Sequence, residues 1–328
     1  MERLSNMKLR LDAWRQEVAD YFQIGDELGG LDGRQNLAHR KFGSTVRVDS
    51  FLSTTNTDSV DALYWTLNQV LVHVKPLKND GLIHFSLSSN MPYLERYEVA
   101  MDGQHWIPIS PEWMSAVPSR SATLGFRAVN TAGIPGPSTT VELEVEQEGG
   151  SPRVNWKVLG GDVVASPLEF RYEDYGHPEL ERLRKKYQLG RKLDHSAIDI
   201  DRLIPLRTWL KGLWIHGQPL RLPPFNAHYI MERGMRGVEQ FHCVHYSVSF
   251  VQCCLSLGIQ ARMVNLHRGI AEDCQPGQEQ LHNPPCDEHV VVEIWSNDLQ
   301  RWVVFDVDYD CHYTHAGTLL NCQEIHAL

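Results

Sequence analysis

Residues 288–306 read Glu288-His289-Val290-Val291-Val292-Glu293-Ile294-Trp295-Ser296-Asn297-Asp298-Leu299-Gln300-Arg301-Trp302-Val303-Val304-Phe305-Asp306. Two runs rich in β-branched and aromatic residues flank the polar stretch Ser296–Leu299. That pattern predicts a β-hairpin with a four-residue connection. With Trp295 opposite Gln300, counting away from the loop puts His289 opposite Asp306. Directly opposed residues have Cβ atoms about 4.5–5.5 Å apart on the same face of a sheet. The carboxylate is then expected to accept the Nδ1–H of the imidazole, fixing its tautomer and stabilising the imidazolium. Val291, Glu293 and Trp295 share that face, and Val290, Val292 and Ile294 take the other. A slip of one residue would put His289 and Asp306 on opposite faces.

Further upstream, Val238-Glu-Gln-Phe-His-Cys243 gives way to a helical pattern that runs to Leu257. Gly258 stands where a left-handed C-terminal cap is needed, and a strand follows from Gln260 to Asn265. A cysteine at a helix N-terminus feels the positive end of the helix dipole. A neighbouring imidazolium adds to that, and both favour the reactive thiolate. Cys243 is therefore the candidate nucleophile, with His289 as base and Asp306 as the residue that orients it. His242 and His245 flank the nucleophile and read either as tuning groups or as substrate contacts.

Three separate stretches now resemble the transglutaminase-like (papain-like) superfamily. They are Gly237-Val-Glu-Gln-Phe-His-Cys243-Val-His-Tyr-Ser-Val248 with Leu257-Gly-Ile-Gln-Ala-Arg-Met-Val264, then Glu288–Glu293, then Gln300-Arg-Trp302-Val-Val-Phe-Asp306. They occur in the family's order, and the resemblance covers about residues 165–315. Gln300 replaces a glycine of the family pattern, and His242 a small residue. The segment 266–287 is longer than the family minimum and reads as a lid or substrate wall. The resemblance implies an α+β catalytic domain with a Cys-His-Asp triad of Cys243, His289 and Asp306. It implies a bacterial-style cysteine-dependent hydrolase or acyltransferase. The thiolate would attack an amide, His289 would protonate the leaving amine, and water or an amine would release the thioacyl-enzyme. The Cys243 N–H is a natural oxyanion donor, with Trp214 and Gln240 as candidates for the second. The implied partner is a protein, peptide or glycan-linked amide substrate.

Towards the N-terminus the character changes. Residues 1–24 place Leu11, Trp14, Val18 and Tyr21 at helical spacing, and 25–48 read as a connection, giving an N-terminal region 1–48. Residues 49–146 show short alternating runs such as Val70–Val74 and Leu82–Leu87, separated by turn signals including Asn79-Asp80-Gly81 and Asp102-Gly103. This predicts an all-β sandwich, and Tyr93–Trp106 with Leu124–Gly133 resembles fibronectin type III or immunoglobulin-like domains. Glu146–Pro152 reads as a linker, leaving 153–328 as the catalytic domain. Within that domain Pro178 opens a helix, Ile198–Ile215 carries a second, and Asn226 caps a third.

Composition limits the alternatives. The chain has 328 residues, room for two domains at roughly 100–200 residues each. Its net charge of −10 argues against nucleic acid as a partner. No apolar run approaches the ~18 residues of a membrane span, and the first residues lack a signal-peptide core, so no membrane association is expected and the location is cytoplasmic unless the true start lies upstream. Seven cysteines without a CxxC pair predict neither a disulfide framework nor a zinc site. Cys253 and Cys254 read as core. Cys274, Cys286 and His282 match no common zinc spacing. Asp306-Val-Asp-Tyr-Asp310 alternates carboxylates like a calcium loop, but Cys311 replaces the central glycine and Gly317 the closing glutamate. No metal or cofactor is expected. Two other readings stay open: a non-catalytic scaffold with a remnant triad, and glycan-directed chemistry with sugars stacked on Trp209, Trp214, Tyr229 and Trp295.

Overall fold

The computed structural model describes residues 64, 66–77, 81–101, 103–148, 151–160, 175–197, 199–219, 223, 225–267 and 288–328. The expected helix 1–24, the connection 25–48, and Cys274, His282 and Cys286 lie outside the described residues. So does most of the segment 266–287. The chain divides into two compact units, one comprising Asp61–Leu168 and Trp295–Trp302, the other Glu169–Ile294 and Val303–Leu328. Among the described residues no helix is long and apolar enough to cross a membrane.

The first unit is a β-sandwich. Its strands are β1 (Val70–Leu77), β2 (Leu82–Ser89), β3 (Leu94–Ala100), β4 (Ile107–Ile109), β5 (Glu112–Ala116), β6 (Ala122–Asn130), β7 (Thr139–Glu148) and β8 (Ser151–Leu159). One antiparallel sheet has the order β1-β2-β5 and the other β4-β3-β6-β7-β8. Alternation of period two explains the packing. Ile83, Phe85 and Leu87 of β2 point inward, as do Leu124, Phe126 and Ala128 of β6. Phe85 meets Phe126 and Trp113 with ring centroids 5.2 Å from each. The stretch 146–152 is not the linker that its glycine and charge content suggested. It is the tip of the β7–β8 hairpin, in which Glu148 pairs with Ser151 and Thr140 with Leu159. The alternating residues of β7 and β8 on either side extend the sheet.

The second unit is α+β. Helix α1 (Pro178–Tyr187) starts with proline in its first turn, as expected, and ends at Gln188, which takes the left-handed conformation. The expected helix 198–215 is split. Asp199–Leu203 forms a 3₁₀ turn and α2 covers Ile204–Lys211. Pro205 has no N–H to give to the preceding turn, so the helix must begin there. Helix α3 (Ala227–Met235) is capped by Asn226, whose side chain accepts from the Tyr229 N–H at 3.0 Å. Helix α4 (Cys243–Ser256) ends at Gly258, whose φ of +77° is the left-handed cap.

Strands β9 (Ala261–His267), β10 (Glu288–Ser296) and β11 (Arg301–Phe305) form a sheet in the order β11-β10-β9. The short pair β12 (Thr314–His315) and β13 (Thr318–Leu319) and helix α5 (Cys322–Ala327) follow. Helix α4 is buried from His245 through Ser256. It shares a core with Val292 and Ile294 of β10 and Val303 and Phe305 of β11, and Phe250 stacks on Phe305 at 6.1 Å. Leu183 of α1, Leu206 and Leu210 of α2, and Ile230 and Met231 of α3 close that core.

On β10 the side facing away from these apolar residues carries Glu293, which is fully buried. It sits directly opposite Arg262 of β9 and accepts from its Nε at 2.7 Å. Its other oxygen accepts the Cys322 N–H at 2.7 Å and so anchors the start of α5. Removing one partner of such a pair strands a buried charge. The Arg262→Met substitution is therefore expected to destabilise the chain by roughly 3–5 kcal/mol. Urea denaturation followed by circular dichroism checks this; an unchanged midpoint would show that the pair carries no such load.

Candidate active site

Cys243 is the first residue of α4, and His242 is its N-cap. The cap has extended backbone and no side-chain capping bond. The leading N–H groups of the helix thus stay available at the cysteine, while the rest of the helix is sealed in the core. The thiol is partly exposed, the one chemically distinctive group at the solvent end of a buried element.

The hairpin brings His289 to it. The turn occupies Asn297–Gln300, one residue later than expected, with Gln300 at a φ of +51°. His289 Nε2 lies 2.7 Å from Asp306 Oδ2. The two side chains meet as expected, but the later turn shifts the register by two, so His289 and Asp306 are not directly opposed, and the nitrogen differs. Nε2, not Nδ1, meets the carboxylate, which leaves Nδ1 for the hydrogen bond that His289 makes to Cys243. Asp306 is fully buried and fixed at both oxygens. Oδ2 also accepts the Tyr313 hydroxyl at 2.7 Å, and Oδ1 accepts the Tyr309 N–H at 3.0 Å. Mutual backbone bonds between Asp306 and Cys311, at 2.9 and 3.0 Å, close a small loop just after β11. The structure therefore brings Cys243, His289 and Asp306 together.

Electrostatics follow from this arrangement. Burial alone would raise the Cys243 pKa. Hydrogen bonds from His242 and His289 and from the Val290 N–H outweigh it, and the thiol falls to about 6. Burial would lower the His289 pKa, but the bonds to Asp306 and to Cys243 win and raise it to about 10. For Asp306 the burial penalty is overcome by the bonds from His289 and Tyr313, and its pKa is lowered. A thiolate–imidazolium pair results. His245, one turn on, is different: burial drops its pKa to about 3, so it is neutral. It is 0% exposed, with its ring 4.3 Å from that of His242. Of the two histidines flanking the cysteine, His242 reaches the thiol and His245 packs inside.

Several features here were not legible beforehand. The alternating carboxylates 306, 308 and 310 do not converge. Asp306 serves His289, Asp308 bonds Lys211 at 2.9 Å and His216 at 2.7 Å, and Asp310 bonds Arg207 at 2.8 Å and Thr208 at 3.0 Å. Helix α2 thus holds the loop after β11 with three side chains. Tyr309, 71% exposed, sets its ring 5.2 Å from that of His289 and is the aromatic group beside the site. By contrast Trp214 and Trp295 are buried and Trp209 is packed against the core, which leaves Tyr229 as the exposed member of the four aromatic residues considered for sugar stacking. Cys253, Cys254 and Cys322 are buried, and burial raises their thiol pKa values.

A lowered thiol pKa means that thiolate, and hence reactivity, rises with pH through the folded value. Iodoacetamide labelling of Cys243 is therefore expected to have its midpoint near pH 6. In His289→Ala that midpoint should move up toward the ordinary thiol value of about 8.5. In Asp306→Asn the imidazolium should deprotonate at lower pH, closing the ion-pair window from its alkaline side. Stopped labelling with peptide mass spectrometry measures all three.

With the geometry established, comparison with known proteins is informative. Residues 234–307 match the model of the transglutaminase-like superfamily. None of the curated proteins matches the chain. Two crystal structures of the periplasmic domain of TgpA from Pseudomonas aeruginosa, one bound to ethylmercury, match at 14% sequence identity with a TM-score of 0.28. They cover 77% and 75% of this chain and 94% and 88% of theirs. The matched segment runs from the end of α3 to just past Asp306, and the chain therefore carries a transglutaminase-like superfamily domain preceded by a β-sandwich.

Proposed function

We propose that the protein is a cysteine-dependent acyl-transfer enzyme acting on amides, with Cys243 as nucleophile, His289 as acid and base, and Asp306 as its positioning partner. The observation that carries this reading is the continuous chain from the thiol through the imidazole to a fully buried carboxylate, at the exposed end of a buried helix. In the first step the thiolate sulfur bonds to the amide carbonyl carbon. The electron pair of the C=O moves to oxygen and then returns, expelling the amine. The imidazolium proton of His289 goes to that amine as it leaves. A thioacyl-enzyme and a neutral imidazole remain. Water or a primary amine then gives its proton to His289 and takes the acyl group, restoring the thiolate–imidazolium pair.

The oxyanion formed on the way needs donors. The Cys243 N–H at the start of α4 is one. The indole N–H of Trp214 suits the second role, being buried without a partner among the described residues. Its ring is fixed by stacking on Tyr246 at 4.4 Å and edge-on contact with Phe241 at 5.6 Å. A carboxamide or peptide amide of a protein is the substrate class this supports. A sugar-linked amide has less support, because the tryptophans once considered for stacking are packed inside.

The test is incubation with glutamine-containing peptides, with and without a primary amine, while ammonia release and peptide mass are followed. Hydrolysis or amine incorporation that disappears in Cys243→Ala, with a thioacyl adduct trapped on Cys243, supports the reading. Activity that survives that substitution, or a Cys243 that labels no faster than Cys311, would sink it. Trp214→Phe is expected to slow acylation by roughly 100-fold while leaving the pH midpoint of Cys243 labelling unchanged. A shifted midpoint would mean that Trp214 acts on the thiol rather than on the oxyanion.

A further inference from the structure

One carboxylate beside the site is not used by the proposed reaction. Asp308, 5% exposed, lies beside the thiol and the imidazole. The ligand-capable atoms of Cys243, His289 and Asp308 all lie within 4.8 Å of one another. The three come from different elements, the start of α4, β10 and the loop after β11, so no sequence spacing announces them. We propose that Cys243, His289 and Asp308 form a binding site for Zn²⁺, and that zinc held there keeps the thiol out of acyl transfer.

Three physical points support this. The donor set of thiolate, imidazole and carboxylate is the one that zinc takes, and three protein ligands leave a fourth position for water. Two of those ligands are anionic and balance the charge of the ion. His289 is already oriented as a metal-bound histidine would be. Nε2 faces the buried Asp306 carboxylate, which leaves Nδ1 for the metal, the carboxylate–histidine–zinc arrangement. Asp308 is held in turn by Lys211 and His216, so a ligating oxygen would not swing freely. Ligand atoms on one zinc lie closer together than 4.8 Å, so binding would draw the three side chains inward by small rotations. The imidazolium must lose its Nδ1 proton to solvent as the nitrogen binds zinc, and no other group is oxidised or reduced.

That zinc binds is independent of the amide reading, whereas the claim that it inhibits rests on that reading. The test uses the full chain stripped with a chelator and titrated with Zn²⁺ against a competing indicator, with Co²⁺ as a spectroscopic substitute. One equivalent of zinc is expected to bind. Affinity should fall by roughly 10- to 100-fold or more in Cys243→Ala, His289→Ala and Asp308→Asn, and stay unchanged in Cys311→Ser. The cobalt form should show a thiolate charge-transfer band that Cys243→Ala removes. One equivalent of zinc should also block iodoacetamide labelling of Cys243, and chelation should restore it. If Asp308→Asn does not fold, the Cys243→Ala titration and the cobalt band decide the matter. Zinc that binds equally well without Cys243, or fails to bind at micromolar concentration, overturns the proposal. Failure to bind zinc with a hyper-reactive Cys243 removes this site and leaves the amide reading intact. Tight zinc binding with an unreactive thiol does the reverse.

Discussion

Everything at the site depends on burying helix α4 almost completely while leaving its first residue in contact with solvent. A helix sealed from His245 to Ser256 cannot shift or fray without opening the core it shares with the sheet. Its backbone dipole therefore points at a fixed place, and Cys243 occupies that place. Polar side chains along the helix serve the same end. Ser247 donates to the Val290 carbonyl of β10 at 2.9 Å. Gln252 bonds the Ala227 N–H and the Phe225 carbonyl, at 2.7 and 2.8 Å. The first bond ties the nucleophile's helix to the strand of the histidine, and the others tie it to the entry of α3. Each is short-ranged and buried, where an unmade bond costs most.

The second constraint lies in the loop after β11. Three carboxylates at alternate positions would repel one another if they faced a common point. They face three different partners instead, and α2 supplies most of these through Arg207, Thr208 and Lys211. This explains why a segment that looks like an ion-binding loop on paper holds an imidazole. It also explains why α2, remote in sequence from the thiol, is structurally part of the site.

Much of this was legible in the sequence, because the relevant signals are local or periodic. The alternation in 288–306 implied the hairpin, and the three matching stretches implied the fold around it. Asn226 and Gly258 announced their caps through their own backbone chemistry. The rest depended on non-local facts. Whether the stretch 146–152 links two domains or belongs to one sheet is decided by what Val154 and Val158 pair with, namely Val145 and Val141. Pro205 was visible, but the strength of the apolar pattern around it masked the helix start that it enforces. Which nitrogen of His289 meets Asp306 depends on the ring's rotation, which no residue pattern encodes. Asp308 comes near the thiol, and Tyr309 near the imidazole, only because the backbone doubles back between Asp306 and Cys311.

Apart from the neighbouring His242, the groups that acidify Cys243 lie on elements far from it along the chain: the imidazole and the Val290 N–H on β10, with the carboxylate that holds the imidazole beyond β11. Until those elements have assembled, the cysteine is an ordinary thiol, mostly protonated at neutral pH. Chemical potency is thus acquired at the last stage of folding rather than during synthesis. A nascent or partly unfolded chain would carry the nucleophile in a dormant form, unable to attack neighbouring proteins or itself. Maturation of the reagent and completion of the fold would then be one and the same event.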